Sequence, residues 1–129
     1  MITINFTADE RGELDIASEE RLKINGRRIK SNKFKKTLEP NESQTFRNLI
    51  NGQYFWNAPT NMEIDDNITM LDGSLWVIEA LTKGKYHLID RSSPSPEPQG
   101  FGNDEDLIEA YNIGKKFIDL SGIDIDEIY

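Results

Sequence analysis

The sequence contains no cysteine and only one histidine among its 129 residues. The lack of cysteine excludes disulfides, thiolate zinc sites and a cysteine nucleophile. No apolar run approaches the roughly 18 residues that a membrane-spanning helix needs. The first residues, MITINFTADERGELD, have neither the basic start nor the apolar stretch of a secretory signal peptide. The sequence therefore predicts a cytoplasmic protein without a membrane span.

Acidic residues are in excess, and they are unevenly distributed along the chain. There are 23 acidic and 15 basic residues, which give a formal net charge of −8. Residues 21–36 carry eight bases and no acid, whereas residues 97–129 carry nine acids and two bases. We expect the basic segment to pair with acids of the same fold; a face for an acidic partner is the alternative. Nucleic-acid binding is disfavoured, because an acidic protein repels a phosphate backbone.

The first 40 residues contain patterns that predict strands. In MITINFT, isoleucine and phenylalanine recur with the period of two that is typical of a strand. Asn25 and Gly26 favour a two-residue hairpin turn, because both central positions of that turn need positive φ. We therefore expect a hairpin of residues 22–25 and 27–31, extended by KFKKTLE. Pro40 ends this element, because proline cannot donate to a strand ladder.

Two later segments show the spacing of apolar residues that predicts helices. PNESQTFRNLINGQYFW predicts a first helix, with Asn41 or Ser43 accepting hydrogen bonds from the N–H groups of its first turn. NDEDLIEAYNIGKKFIDLSG predicts a second helix, capped by Asn103 or Asp104 and ended by Gly122. The acids of the second helix lie early and its lysines late, as the helix dipole favours.

The segment NITMLDGSLWVIEALTKGKYHLIDR predicts the clearest hairpin of the chain. If its loop is centred on Lys83 and Gly84, residues whose numbers sum to 167 lie opposite each other. One face then holds three pairs: Trp76 with Arg91, Ile78 with Ile89, and Ala80 with His87. The other face holds Val77 with Asp90, Glu79 with Leu88, and Leu81 with Tyr86. Both faces are substantially apolar, which predicts a central pair of strands in a larger sheet.

These elements predict an α+β fold in a single domain, residues 1–129. We expect a mostly antiparallel sheet of about five to six strands, with two helices packed on one face. SSPSPEPQGFGN, residues 92–103, has three prolines and two glycines and predicts an exposed, semi-rigid loop. Residues 123–129 form a short acidic tail. Gly114 lies inside the second predicted helix and lowers its intrinsic propensity.

Six residues are candidates for binding, because tryptophan, tyrosine and arginine dominate binding hot spots and a guanidinium stacks well on an indole. They are Trp56, Trp76, Glu79, Tyr86, His87 and Arg91. A catalytic His87 would need an acid to orient it, but the predicted register places Glu79 and Asp90 on the opposite face. We therefore predict no catalytic residue.

The sequence also predicts no metal site and no cofactor. Residues 63–67, EIDDN, are rich in oxygen ligands but lack the spacing of a calcium loop. No G-x-G-x-x-G motif and no P-loop is present, so a phosphate-binding loop is not expected.

The order YFWNAPT, LDGSLWVIEALTKGKYHLIDRSSP and FIDLSGI resembles a widespread family of small uncharacterised bacterial proteins with a DGxxWxxE…GxYHxxxRxSP signature. The matching positions are Phe55, Trp56, Pro59, Asp72, Gly73, Trp76, Glu79, Gly84, Tyr86, His87, Arg91, Ser93 and Pro94. The match covers about residues 54–122, and Ser92 departs from it where a second tryptophan is expected. The resemblance implies a bacterial, cytoplasmic α+β domain and brings no known activity.

Small size, acidity and the absence of a catalytic constellation favour a non-enzymatic binding protein. We predict a protein inhibitor, such as an immunity protein that neutralises a toxin or effector, with another protein as its partner. One alternative is a hydrolase or nucleotide-acting enzyme that uses His87 and Arg91. Another is a phage-encoded anti-defence protein that mimics nucleic acid or sequesters a nucleotide. The sequence leaves the oligomeric state open.

Overall fold

The computed structural model describes residues 2–6, 12–17, 22–24, 26–29, 33–61, 74–82, 84–100 and 104–123. The chain divides into two compact units, each described by itself below. The first unit comprises Met1–Leu49 with Lys115–Tyr129, and the second comprises Ile50–Gly114. The prediction of a single domain stays a prediction. Several features predicted above lie outside the described residues, namely residues 62–73, the turn residues Asn25 and Lys83, the cap Asn103 and most of the acidic tail.

The described elements confirm the α+β class. The strands are β1 (Ile2–Phe6), β2 (Gly12–Ala17), β3 (Leu22–Ile24), β4 (Arg27–Ile29), β5 (Lys33–Thr37), β6 (Leu75–Thr82) and β7 (Lys85–Ser92), and the helices are α1 (Pro40–Ile50) and α2 (Asp104–Ser121). All strand pairs within the described residues are antiparallel, and they form sheets of three, two and two strands. Neither helix in this part of the chain is long and apolar enough to cross a membrane.

The three-stranded sheet of the first unit has the order β1-β2-β5. The prediction that KFKKTLE extends the β3–β4 hairpin is wrong, because β5 pairs with β2. Asp15 on β2 lies opposite Lys35 on β5, and an ion pair joins them, with 3.0 Å between Lys35 Nζ and Asp15 Oδ1. The strand β2 itself was not expected from the sequence. Leu14, at its centre, is fully buried.

The start of α1 differs from the sequence prediction. The helix begins at Pro40, and the Glu42 carboxylate accepts a hydrogen bond from the Glu39 N–H at 2.8 Å, so Asn41 and Ser43 are not the caps. Ser43 is buried, and its hydroxyl accepts from the Gly12 N–H at 3.1 Å. The hydroxyl therefore ties β2 to the helix.

Lys36 connects the basic segment to the same helix start. Its ammonium lies 3.2 Å from the Glu42 carboxylate and 3.1 Å from the Leu120 carbonyl. Burial raises the pKa of Glu42, but the Glu39 amide and the Lys36 ammonium more than offset this, so the pKa lies below its ordinary value. Lys35 and Lys36 thus pair with acids of their own unit, as expected for the basic segment.

The end of α2 is confirmed at the predicted glycine. Gly122 has a φ of +71°, and its N–H donates to the Ile118 carbonyl at 3.1 Å. Ile123, expected to begin an acidic tail, is instead buried and forms an antiparallel bridge with Ile24.

Candidate functional site

The β6–β7 hairpin organises the second unit, and its predicted register is confirmed. The pairs run from Leu75 opposite Ser92 to Thr82 opposite Lys85, with Trp76 opposite Arg91 and every pair summing to 167. Side chains of alternate residues point to opposite faces of a strand. We call the face that holds Trp76, Ile78, Ala80, His87, Ile89 and Arg91 the inner face. We call the face that holds Leu75, Val77, Glu79, Leu81, Tyr86, Leu88, Asp90 and Ser92 the outer face.

The two faces differ sharply in exposure. On the inner face, Ile89 is fully buried and Ile78 is 6% exposed. On the outer face, Leu81 is 74% and Leu75 64% exposed. The predicted central pair of a larger sheet is not found within the described residues, where β6 and β7 form a two-stranded sheet with one covered face.

Arg91 is buried on the inner face and uses every one of its guanidinium donors. Nε and Nη2 bind the two oxygens of the Asp106 carboxylate, the second at 3.0 Å. Nη1 donates to the carbonyls of Thr60 at 2.9 Å and of Asp90 at 2.6 Å, and Nη2 also donates to Pro59 at 2.9 Å. A guanidinium has five N–H donors, and all five are taken. Arg91 therefore fastens this part of the fold and has no donor left for a ligand.

The surroundings of Arg91 shift the pKa values of neighbouring groups. Burial alone would lower the pKa of Arg91, but the Asp106 carboxylate outweighs it and the pKa is raised. The Tyr54 hydroxyl donates to the Asp106 backbone carbonyl at 3.1 Å. Burial, together with Asp106, raises the pKa of the Tyr54 phenol far above its ordinary value. The Arg91 guanidinium therefore stays charged, and the Tyr54 phenol stays neutral, across the physiological pH range.

Trp76 packs against α2. Its ring lies 5.9 Å from that of Tyr111 in a stacked geometry, and its Nε1–H donates to the Ser74 hydroxyl at 2.9 Å. A Cβ placed on Gly114 would lie 2.2 Å from two atoms of the Trp76 ring. The glycine that weakens the helix by propensity is therefore the one that admits the indole. Trp76 and Arg91 lie opposite each other as predicted, but each is fixed by contacts with α2.

His87 holds the segment 53–61, which we call the aromatic segment, against the hairpin. Its Nε2 lies 3.0 Å from the Ala58 carbonyl oxygen. A carbonyl only accepts, so Nε2 carries a proton and donates it. The imidazole also packs edge-on against Phe55, with ring centroids 5.2 Å apart. No carboxylate among the described residues hydrogen-bonds this ring, and Glu79 lies on the outer face, as the register predicted.

Trp56 belongs to the same cluster as His87. Its ring centroid lies 6.2 Å from that of His87 and 5.1 Å from that of Phe55. The Lys85 ammonium lies 4.5 Å from the centre of the indole ring, which is a cation–π contact. Trp56 is half-buried, so its role in this structure is to pack the aromatic segment onto β7.

Glu79 and Tyr86 lie on the outer face, apart from the other candidates. The Tyr86 hydroxyl donates to the Glu79 carboxylate at 2.8 Å. This hydrogen bond, with a smaller contribution from burial, raises the pKa of the Tyr86 phenol. The six predicted binding residues are therefore divided: Trp56, Trp76, His87 and Arg91 pack within the unit, whereas Glu79 and Tyr86 face solvent.

The second unit contains an open cleft that the sequence did not predict. An open cleft of about 610 Å³ lies between the aromatic segment and the start of α2. It is lined by Gln53, Tyr54, Asn57, Ala58, Asp104, Glu105, Asp106 and Glu109. The only sequence signal was the crowding of acids in the first turn of α2, and helix-dipole stabilisation already accounted for that.

Two of the four carboxylates in the cleft have structural partners. Asp104 accepts hydrogen bonds from the N–H groups of Gln99 at 2.7 Å and Gly100 at 3.0 Å, and Asp106 binds Arg91. Glu105 and Glu109 are exposed, and neither carboxylate forms a hydrogen bond or ion pair within the described part of the chain. No three acidic or histidine side chains in the described ranges are arranged to hold a metal ion. Residues 63–67 lie outside those ranges.

The loop after β7 begins one residue later than predicted. Ser92 belongs to the strand, and Ser93 has a φ of 49° with its N–H donating to the Ser74 carbonyl at 2.7 Å. Pro94 is buried, so only the later part of the predicted loop, residues 96–100, is exposed.

Comparisons with protein-family models, with curated proteins and with solved structures found no match to this chain. The family signature inferred from the sequence therefore stays a prediction.

Proposed function

We propose that this chain is a small acidic cytoplasmic protein inhibitor, such as an immunity protein, that binds a basic surface of a toxin or effector. One observation carries the proposal. Glu105 and Glu109 line the open cleft of the second unit, and both are exposed without a partner in the described residues.

Helix stability does not account for this pair of glutamates. They lie four residues apart on α2, where two like charges cost about 0.2–0.5 kcal/mol. Glu105 in the first turn gains from the helix dipole, but this benefit fades beyond that turn and reaches Glu109 weakly. The charge of Glu109 therefore adds little to helix stability and remains available to bind a partner.

The cleft has no basic residue in its lining. Asp106 is neutralised by Arg91, which is buried and binds its carboxylate. An unbalanced acidic cleft attracts lysine and arginine side chains and accelerates association with a basic protein at low salt. This is the electrostatic behaviour expected of an inhibitor that plugs a basic active site.

The geometry gives less support to the alternatives. An enzyme that uses His87 and Arg91 would need free functional groups, but Arg91 has no free donor and His87 donates to a backbone carbonyl. A mimic of nucleic acid needs a long row of carboxylates. Residues 104–109 span about 7.5 Å of helix, the length of roughly two base-pair steps.

The test is co-expression with the product of the adjacent gene. We expect the two proteins to co-purify, and we expect this chain to relieve the toxicity of its neighbour. The double substitution Glu105→Gln/Glu109→Gln should weaken the complex at least about tenfold and reduce the dependence of the association rate on salt.

A matched control is Glu13→Gln/Glu97→Gln, which removes the same charge from two exposed positions outside the cleft. This variant should bind like the wild type. The proposal fails if the wild type binds no neighbouring gene product, or if both double variants lose the same affinity.

A further inference from the structure

The outer face of the β6–β7 hairpin concentrates the exposed apolar surface of the described residues. The large apolar side chains that are strongly exposed are Leu75, Val77, Leu81 and Tyr86, at 64%, 54%, 74% and 57%. All four lie on this one face. Scattered exposed apolar residues are normal in proteins, but a contiguous patch marks an interaction surface.

The charge of the outer face is of one sign. Its charged residues are Glu79 and Asp90, and none of its eight strand positions carries a base. Glu79 lies between Val77 and Leu81 on β6, and the Tyr86 hydroxyl holds its carboxylate at 2.8 Å. An apolar surface with a fixed carboxylate at its centre complements apolar side chains that flank a lysine or an arginine.

A second copy of this chain fits the outer face poorly. The outer face has eight strand positions, whereas a standard interface uses about 20–30 residues on each partner. A symmetric dimer through this face would also bring Glu79 and Asp90 of both copies into one interface. Like charges brought together in this way destabilise an interface.

We propose that the outer face binds an extended segment of a partner protein in which apolar residues and lysine or arginine take turns at every second position. The side chains at those positions point to one side of the segment, as Val77, Glu79 and Leu81 do on β6. This inference goes beyond the inhibitor proposal. Trp76 and Arg91 on the inner face contact α2, so a partner seated in the acidic cleft leaves the outer face uncovered.

The probe is a fluorescein-labelled decapeptide with valine and lysine in turn at its odd positions and threonine at its even positions, and its binding is measured by fluorescence anisotropy on the full chain. We expect saturable binding in the micromolar range at low salt. Val77→Thr/Leu81→Thr places residues with high strand propensity at both positions and should weaken binding at least about tenfold. Glu79→Gln should weaken binding and flatten its salt dependence, whereas the matched Glu97→Gln should do neither.

Each other outcome overturns the inference. One is that the wild type fails to bind the peptide, or binds equally well a peptide with glutamate in place of lysine. Another is dimerisation in sedimentation that Val77→Thr/Leu81→Thr abolishes, which would make a second copy the occupant. If the double variant melts early, Leu81→Thr alone replaces it, because that side chain is 74% exposed.

The two proposals can fail separately. Peptide binding that is lost in Glu105→Gln/Glu109→Gln but kept in Val77→Thr/Leu81→Thr would place the peptide in the cleft. That result would overturn the outer-face proposal and leave the inhibitor proposal intact. Peptide binding that is lost in Val77→Thr/Leu81→Thr but kept in Glu105→Gln/Glu109→Gln would support the outer-face proposal. If the chain then also bound no adjacent gene product, the inhibitor proposal alone would fail.

Discussion

The inner and outer faces of one hairpin carry residues of similar type with opposite uses. The inner face holds Trp76, His87 and Arg91, and each has specific partners in α2 or the aromatic segment. The outer face holds Glu79 and Tyr86, which are bonded to each other and otherwise face solvent. Residue types that are common at functional sites thus stabilise the fold on the inner face and remain accessible to a partner on the outer face.

The division follows from the two-residue period of a strand. Consecutive residues such as Tyr86 and His87 point in opposite directions, so a helix packed on one side takes every second side chain. Exposure and unused hydrogen-bonding capacity therefore identify the candidate site better than residue type does. Four substitutions test this contrast between the two faces.

Arg91→Met should have the largest effect. It leaves the Asp106 carboxylate and the Pro59 carbonyl without their donor, and removing one partner of a buried ion pair costs about 3–5 kcal/mol. Denaturant unfolding measures the loss. The same change at exposed Arg28 should stay within about 0.5 kcal/mol of the wild type. A similarly small change for Arg91→Met would contradict the structural role of this residue.

Gly114→Ala should destabilise the protein although alanine favours helices. The new Cβ would lie 2.2 Å from the Trp76 ring, and overpacking of this kind costs about 1–3 kcal/mol. Asn112→Ala, at an exposed position of the same helix, should instead gain a few tenths of a kcal/mol. In a Trp76→Leu background the Gly114→Ala penalty should shrink, as measured by a double-mutant cycle. An unchanged penalty would show that the indole is not its cause.

His87→Ala should lower stability by about 1–2 kcal/mol, because it removes the donor to the Ala58 carbonyl and the ring that packs on Phe55. Thermal melting measures this loss. Leu81→Ala on the outer face serves as the control and should change stability by less than about 0.5 kcal/mol. If His87→Ala abolished an enzymatic activity at an unchanged melting temperature, the catalytic alternative would replace the structural one.

The smallest effect concerns the titration of Tyr86. Its neutral phenol donates to Glu79, so its pKa lies above the ordinary value of about 10. A raised folded-state pKa contributes stability that is present below the unfolded-state pKa and is lost as the pH rises through the folded-state pKa. An NMR titration should show the Tyr86 pKa falling in Glu79→Gln and unchanged in Glu97→Gln. Equal values in all three proteins would rule out this hydrogen bond in solution.

Local patterns predicted much of the fold. The hairpin register followed from the placement of one turn, and Gly122 ended α2 as its position indicated. The pairing of β5 with β2 was not predicted, because it joins residues 13–17 to residues 33–37, which lie about 20 positions apart in the chain. The sequence offers Ser43 as a helix cap, but its hydroxyl accepts a hydrogen bond from the N–H of Gly12, which lies 31 positions away. Contacts between distant segments leave no local pattern in one sequence.

The candidate sites divide in the same way. The sequence determined the period, the charge and the opposite directions of Glu79 and His87 on β6 and β7. Which of the two directions is covered depends on where α2 and the aromatic segment pack, and this follows from the tertiary structure. The same packing gives Arg91 its five internal hydrogen bonds and leaves Glu105 and Glu109 without a partner in the described residues. The burial and the hydrogen-bond partners of a side chain depend on contacts between distant segments. They cannot be predicted from the order of residues along one strand.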